Sequence, residues 1–299
     1  MTVRHFLTLQ DLSPAELKQL IIRAGELKAA LKNGQYPVTL KRQVMGMIFE
    51  KSSTRTRISF ETGMAHFGGH AIFLSPRDTQ LGRGESIEDS ARVISRMVDI
   101  VVIRTSRHDR VVKFAEHSQV PVINALTDSY HPCQLLADML TWQERCGDFT
   151  GRRAVWIGDG NNVCHSWMNA AQLFDFELTV ITPETNRPNE VLLEQTSSHV
   201  NWAADPGASE AADLVVTDTW ASMGQEDEKD DRVELFKPYQ VDQAFMDRAA
   251  SGAIFMHCLP AYRGQEVTAE VIDGPQSVVW DEAENRLHAQ KALVELLLS

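Results

Sequence analysis

The chain has 299 residues, 43% of them hydrophobic and 23% charged, a balance typical of globular proteins with one large or two modest domains. Its 29 lysines and arginines against 41 aspartates and glutamates give a formal net charge of −12. That charge gives no general support to nucleic-acid binding. No apolar run approaches the roughly 18 residues of a membrane span, and the first residues lack signal-peptide or transit-peptide character. We therefore expect a cytoplasmic protein with neither nucleic-acid nor membrane partners.

The four cysteines are scattered along the chain at positions 133, 146, 164 and 258. None forms a C-x-x-C pair, so neither a zinc ribbon nor a dithiol redox site is indicated. Four unpaired thiols in a chain of this length favour a reducing compartment. We expect no metal and no cofactor.

Short apolar runs alternate with amphipathic stretches in the first half of the chain. Its opening helix is marked by Ser13, Pro14 and Glu16, an N-cap with a capping box. Strands are predicted at 44–49, 71–74, 100–103 and 120–124, and helices at 54–67, 86–97, 111–117 and 132–145. Such alternation predicts a parallel sheet covered by helices on both faces.

The same pattern restarts after residue 148. Strands are predicted at 154–157, 178–181, 214–217 and 253–256, with helices at 163–174 and 284–298 and a long acidic connection at 219–237. The predicted fold class is α/β, with two doubly wound parallel-sheet domains joined by the long helix. The C-terminal helix is expected to pack back on the first domain. The predicted domains are 1–146 with 285–299, and 147–284.

An anion site is predicted where the strand at 44–49 gives way to a helix. Residues 51–57, Lys-Ser-Ser-Thr-Arg-Thr-Arg, combine hydroxyls and guanidiniums with the unpaired N–H groups of a helix N-terminus. These groups bind phosphate well, and the absence of a Walker loop means that the phosphate need not belong to a nucleotide. The alternative is a Ser/Thr cap followed by solvated arginines.

Four sequence elements in order resemble the aspartate/ornithine carbamoyltransferase family. They are S-T-R-T-R at 53–57, H-P-C-Q at 131–134, D-T-W-A-S-M-G at 218–224 and H-C-L-P at 257–260. The last two resemble the ornithine branch. The resemblance implies transfer of a carbamoyl group from carbamoyl phosphate to the δ-amine of ornithine, by direct attack and without a covalent intermediate, most often in arginine biosynthesis.

The resemblance also assigns roles to individual residues. Domain 1–146 is expected to bind carbamoyl phosphate and domain 147–284 to bind ornithine. The residues expected to bind carbamoyl phosphate are Ser53, Thr54, Arg55, Thr56, Gln80, Arg104, His131, Pro132, Cys133, Gln134, Cys258, Leu259 and Arg286. Those expected to bind ornithine are Asn162, Asp218, Ser222 and Met223. Arg104, His131, Asp218 and Cys258 are expected to be catalytic.

Several of these assignments agree with local chemistry. Arg104 and Asp218 each end a predicted strand, the sheet edge where open α/β proteins bind ligands. His131 and Gln134 open the long helix, where donors could face the carbamoyl group. Residues 158–162, Gly-Asp-Gly-Asn-Asn, fail the dinucleotide fingerprint because Val163 stands where Gly is needed. The plainer interpretations are that Arg104 is a surface arginine, that His131 caps a helix and that Cys258 is a structural thiol.

In the family, the loop around Gln80 reaches the active site of a neighbouring subunit. The resemblance therefore implies a homo-oligomer, a trimer or a multiple of it. Three other interpretations stay open. The acceptor could be aspartate or an N-acylated ornithine, or the chain could be a phosphate-binding paralogue without activity.

Overall fold

Two parallel sheets covered by helices make up the protein, in a computed structural model that describes residues 3–75, 84–208, 211–221 and 229–299. The α/β fold class is therefore confirmed. The chain divides into two compact units, one formed by Met1–Leu140 with Glu284–Ser299 and the other by Thr141–Ala283. Within the described parts of the chain, no helix has the length and apolar character to cross a membrane.

The first unit contains four parallel strands in the order β2-β1-β3-β4. Their bounds are β1 Val44–Phe49, β2 His70–Leu74, β3 Ile100–Arg104 and β4 Val122–Leu126. The accompanying helices are α1 Pro14–Lys32, α2 Thr54–His66, α3 Ile87–Ile94 and α4 His108–His117. The central strand β3 is buried throughout because helices cover both faces of the sheet. At α1, Ser13 and Glu16 form the predicted capping box.

The second unit contains five parallel strands in the order β7-β6-β5-β8-β9. They are β5 Arg153–Ile157, β6 Glu177–Ile181, β7 Val200–Ala203, β8 Leu214–Thr217 and β9 Ile254–His257. The helices are α6 Asn162–Phe174, α7 Glu190–Gln195, α8 Lys229–Phe236, α9 Gln243–Arg248 and the short α10 Ala269–Ile272. Sequence analysis missed β7, an edge strand of four residues with a single fully buried position. So short a strand leaves little periodicity to detect.

Helices α5 Pro132–Cys146 and α11 Val279–Leu298 each carry the chain across the boundary between the units. Helix α11 begins at Val279 rather than at the predicted residue 284, with Asp281 and Glu282 in its first turn. Its later part packs on the first unit, as predicted. There Lys28 donates to Asn285 at 2.7 Å, and Arg23 pairs with Glu295 at 2.7 Å.

The predicted connection at 219–237 contains an unexpected helix, α8. Its last residue, Phe236, is fully buried and stacks on Trp220 at 5.9 Å between ring centroids. Because the segment is mostly acidic, sequence analysis did not identify Phe236 as a buried residue. The prediction of a loop throughout was wrong.

Gly160 is required by a close approach of two backbones. A Cβ at this position would lie 2.5 Å from the carbonyl oxygen of Asn186, and it would also clash with the backbone at Pro188. The N–H of Gly160 donates to that same oxygen at 3.0 Å. The glycine therefore serves packing of the turn after β5 and has no part in a dinucleotide fingerprint.

We predict that Gly160→Ala lowers the free energy of unfolding by about 1–3 kcal/mol, because backbone atoms cannot move aside as a side chain can. Gly25→Ala is the matched control. That glycine lies inside α1, where an added Cβ would have only a Leu140 methyl group within 4 Å, so alanine there should be neutral or stabilising by up to about 1 kcal/mol. Urea denaturation of both variants measures the difference. Equal stabilities would refute the close-approach argument.

Candidate active site

In each sheet the strand order reverses beside the first strand of its unit. The reversal falls between β1 and β3 in the first unit and between β5 and β8 in the second. Open parallel sheets bind ligands outside the carboxyl ends of the strands at such a switch point. Among the predicted site residues that the structure describes, several end or follow these strands.

The predicted anion site lies at the N-terminus of α2, directly after β1. Ser53 caps the helix, since its Oγ accepts the N–H of Thr56 at 3.3 Å. The Ser53 hydroxyl also donates to Thr56 Oγ1 at 2.9 Å. Thr54 is exposed, Arg55 is half-buried and Thr56 is buried. The turn thus presents helix N–H groups, hydroxyls and a guanidinium at one point.

Arg286 of α11 joins this turn to α5. Its Nη2 donates to Thr56 Oγ1 at 2.7 Å, and its Nη1 donates to Gln134 Oε1 at 2.6 Å. The residue is 3% exposed. It lies well inside α11 rather than at the beginning of the helix, because α11 starts earlier than predicted. A buried guanidinium here adds fixed positive charge to the anion site.

His131 lies between β4 and α5 and is buried. Burial, together with the positive charges of Arg286, Arg104 and Arg55, holds the pKa of His131 well below its usual range. Its imidazole is therefore neutral near pH 7 and can donate a hydrogen bond without carrying charge. Arg104 ends β3 and is 5% exposed, so it is not the surface arginine of the plainer interpretation.

Pro132 and Cys133 begin α5. Cys133 is fully buried, and its thiol contacts the carbonyl oxygen of Asn124 at 3.3 Å. Burial raises the pKa of Cys133 to about 12. The group is thus a neutral thiol near pH 7, and it packs the start of the helix.

Glu50 was not identified from the sequence, although it joins the two strand ends at this site. Its backbone N–H donates to the carbonyl oxygen of Arg104 at 2.8 Å. Its carboxylate accepts from the hydroxyl of Thr105 and pairs with Arg110 at 2.9 Å. A lone glutamate after a strand has no sequence pattern that separates it from an ordinary surface residue.

In the second unit, Asp218 follows β8 and is the centre of a small polar cluster. Its Oδ1 accepts from the thiol of Cys258 at 3.1 Å and from the N–H of Thr219 at 2.7 Å. Its Oδ2 accepts from Asn161 Nδ2 at 2.9 Å. Asn161 was missed by sequence analysis. It also caps α6, which begins at the predicted ligand Asn162.

His257 holds the turn that carries Cys258 and Leu259. Its Nδ1 accepts the N–H of Leu259 at 2.9 Å, and its Nε2 lies 3.2 Å from the buried carboxylate of Glu266. A metal ion could in principle be held by Asp218, His257 and Cys258, whose ligand atoms lie within 4.8 Å of one another. Because both ring nitrogens of His257 have protein partners, hydrogen bonds already account for this grouping.

Arg232 of α8 contacts the turn after β5. Its Nη2 pairs with Asp159 at 2.6 Å, and its Nε donates to the carbonyl oxygen of Trp220 at 2.5 Å. Burial raises the pKa of Asp159, and the nearby Arg232 opposes that rise. The predicted site residues Gln80, Ser222 and Met223 lie outside the described residues.

Two family models match consecutive parts of the chain. Residues 4–144 match the carbamoyl-P binding domain of aspartate/ornithine carbamoyltransferase, and residues 150–297 match its Asp/Orn binding domain. Together the two matches extend over almost the whole sequence.

Relatives and solved structures agree with these matches. Ornithine carbamoyltransferase of Hydrogenovibrio crunogenus is 61% identical over 100% of this chain and 99% of its own length. The anabolic ornithine carbamoyltransferase of Pseudomonas aeruginosa is 57% identical over 100% and 98%. The structure of ornithine carbamoyltransferase from Burkholderia thailandensis aligns with a TM-score of 0.92 at 50% identity, covering 99% of each chain. This chain belongs to the aspartate/ornithine carbamoyltransferase family.

Proposed function

We propose that this protein transfers the carbamoyl group of carbamoyl phosphate to the δ-amine of L-ornithine, giving L-citrulline and phosphate in arginine biosynthesis. The observation that carries the proposal is a pair of switch-point sites of opposite charge. One presents guanidiniums and helix N–H groups, and the other presents the carboxylate of Asp218. An anionic donor and a cationic acceptor are the substrates that such sites suit.

The first unit is the proposed carbamoyl phosphate domain. Ser53, Thr54, Arg55 and Thr56 would bind the phosphate at the N-terminus of α2. Arg104 and His131 would donate to the carbamoyl oxygen, while Gln134 and Arg286 complete the pocket. The neutral state of His131 supports its role as a hydrogen-bond donor. Pro132 and Cys133, which begin α5, are also proposed to contribute to carbamoyl phosphate binding.

The second unit is the proposed ornithine domain. Asp218 can pair with an ammonium group, and Cys258 already lies within hydrogen-bond distance of that carboxylate. Asn162 begins a helix, so its backbone and side chain suit the amino-acid end of the acceptor. Leu259 follows Cys258 in the turn held by His257. Ser222 and Met223 are proposed on the resemblance of the D-T-W-A-S-M-G segment alone.

The reaction is a direct attack on an activated mixed anhydride. The δ-amine, with an ordinary pKa near ~10.4, must lose a proton before it attacks. Asp218 and Cys258 would orient it, and the departing phosphate can take the remaining proton. As negative charge develops on the carbamoyl oxygen, preorganised donors such as His131 and Arg104 would stabilise it, at about 2.7–4 kcal/mol for one good donor.

A homo-oligomer, most simply a trimer, is proposed on the resemblance of the segment around Gln80. A cytoplasmic location is supported by the chain's four cysteines, all of which are free thiols. An enzyme of the aspartate branch would need cationic groups around its acceptor. The carboxylate of Asp218 therefore argues against aspartate as the acceptor here.

The proposed function predicts citrulline formation from carbamoyl phosphate with ornithine, and far less carbamoylation of aspartate, putrescine or N-acetylornithine. A colorimetric assay of carbamoylated product across the four acceptors measures the preference. Asp218→Asn should lower kcat/KM for ornithine, because a neutral amide replaces the carboxylate that pairs with the ammonium group. Equal rates with aspartate and ornithine, or no product from any acceptor, would refute the proposal.

A second prediction concerns Arg55, whose guanidinium would bind the phosphate directly. Arg55→Ala should weaken carbamoyl phosphate binding by about 1.5–3 kcal/mol, or roughly 10- to 150-fold, with an unchanged far-UV circular dichroism spectrum. Arg57→Ala is the matched control, since Arg57 pairs with Glu61 and stacks on Phe73. Similar losses in both variants would show that Arg55 has no special role.

A third prediction tests the shared site. A Gln80→Ala variant and an Arg55→Ala variant, each assayed at a low carbamoyl phosphate concentration where it alone is nearly inactive, should regain partial activity after subunit exchange, since a hybrid oligomer would contain some site with both native residues. Mass spectrometry of the mixed oligomers verifies the exchange. If hybrids form and activity stays absent, Gln80 serves its own subunit.

A further inference from the structure

The end of β3, which carries Arg104, is where the regular pairing of the first sheet stops. Against β1 the register is even up to the pair of Phe49 with Arg104. Against β4 the register shifts. Ile103 pairs with Asn124, whereas the next residue of β3 pairs with Leu126. A bulge of this kind bends the backbone and changes the direction of the side chains beside it, so contacts beyond the ladder must help to fix Arg104.

Glu50 contacts the chain on both sides of the Arg104 backbone. Its own N–H donates to the carbonyl oxygen of Arg104 at 2.8 Å. One oxygen of its carboxylate accepts a hydrogen bond from the hydroxyl of Thr105, and the other pairs with Arg110 at 2.9 Å. An ionised carboxylate suits both partners because it has two accepting oxygens and no proton. Glu50 thus ties the end of β1 to Arg104, to the residue after it and to the start of α4.

The charges around Arg104 give this end of β3 a reason to be held. The guanidiniums of Arg55, Arg104 and Arg286 all lower the pKa of His131, so three positive charges lie around one imidazole. Like charges gathered in this way repel one another. Arg104 is only 5% exposed, so solvent screens its charge poorly. Contacts that fix the backbone at Arg104 therefore oppose a force that would turn its side chain away.

A second acidic residue ties the same two strands at their amino ends. The backbone N–H of Asp99 donates to the carbonyl oxygen of Val44 at 2.8 Å, and the Asp99 carboxylate accepts the N–H of Val44 at 2.7 Å. The amino ends of parallel strands lie at the edge away from the switch-point crevice. Asp99 therefore joins β1 to β3 far from the candidate site, whereas Glu50 joins them at the edge that carries Arg104.

We propose that Glu50 is a positioning residue for carbamoyl transfer, because it braces the end of β3 so that the Arg104 guanidinium meets the carbamoyl oxygen. Its carboxylate stays with Thr105 and Arg110, and it acts on the reaction only through Arg104. The inference rests on the proposed function, in which Arg104 donates to that oxygen as negative charge develops. A donor displaced by about 1 Å loses much of its effect in the transition state, so turnover should suffer more than binding.

Removal of the Glu50 carboxylate should therefore affect kcat more than KM. Glu50→Ala should lower kcat for citrulline formation about 10- to 100-fold, the loss expected for a misplaced donor. KM for carbamoyl phosphate should rise by at most about fivefold, because the N-terminus of α2 and Arg55 would still bind the phosphate. Thr105→Val removes only the hydroxyl and should lower kcat by about 3- to 10-fold.

Asp99→Ala is the matched control, since it removes a carboxylate that ties β1 to β3 at the other edge of the sheet. This variant should keep kcat within about twofold of the wild type, because a distant site contributes independently. Equal losses of kcat in Asp99→Ala and Glu50→Ala would show that Glu50 only stabilises the sheet, and they would overturn the proposal.

A double-mutant cycle with Arg104→Ala tests the route by which Glu50 acts. If Glu50 works only through Arg104, adding Glu50→Ala to Arg104→Ala should lower kcat by less than about twofold more. Losses that multiply would overturn the proposal.

Calorimetry repeats the cycle on binding, with phosphonoacetamide as the probe because it carries an amide carbonyl on a stable phosphonate. Glu50→Ala alone should weaken its binding about three- to fivefold. Beside Arg104→Ala the same change should weaken it by less than about 1.5-fold, and an undiminished effect there contradicts the inference. This cycle needs no turnover, so it decides the question if Arg104→Ala has no measurable activity.

Two further measurements keep the test decisive. If Glu50→Ala does not fold, Thr105→Val takes its place in both cycles, and an unaltered kcat in that variant overturns the inference. Citrulline assays on the wild type separate the two proposals. Absent turnover defeats the proposed function, while the binding cycle still tests whether Glu50 positions Arg104.

Discussion

The right-handed crossover of parallel strands is the constraint on which this molecule depends. A chain that winds first to one side of its opening strand and then to the other must leave a crevice where the direction changes. Here that change falls between β1 and β3, and again between β5 and β8. Two crevices result, and the loops at each are free to carry polar groups because the strands behind them are buried and rigid.

What differs between the two crevices is charge rather than architecture. In the first, a helix N-terminus follows the strand directly, and arginines from three separate elements approach it. In the second, the turn after β5 supplies Asn161, whose amide supports a carboxylate instead. A protein of net charge −12 can thus present local positive charge in one place and local negative charge in the other, because salt screens exposed charges more than about 10 Å apart.

Sequence patterns predicted most of the sheets because parallel strands buried on both faces are short runs of valine, isoleucine and leucine with helices between them. The turn that we propose to bind an anion could be located for a similar reason, since the S-T-R-T-R segment concentrates its chemistry in five adjacent residues. Gln134, Thr56 and Arg286, in contrast, are distant in sequence and meet only in the fold. No spacing rule identifies such a network.

The supporting residues were the least predictable part of the site. Asp138, Glu266 and Glu282 are acidic residues that a sequence would place on the surface, yet they are buried and accept hydrogen bonds from site residues. The hydrogen bonds that bury them come from an amide group, an imidazole and a backbone N–H, and no short sequence pattern marks such contacts. Helix α8 was missed for a related reason. Its buried aromatic residue, Phe236, packs on Trp220, but the several charged residues before it make the segment look like an exposed loop.

The first unit is discontinuous in sequence, and its last segment contains Arg286, thirteen residues before the end of the sequence. During synthesis from the N-terminus, the ribosome must therefore produce the whole second unit before that arginine exists. An interrupted translation product that stops anywhere before α11 lacks the guanidinium that joins Thr56 to Gln134. The order of the chain thus keeps incomplete copies from assembling the proposed phosphate pocket.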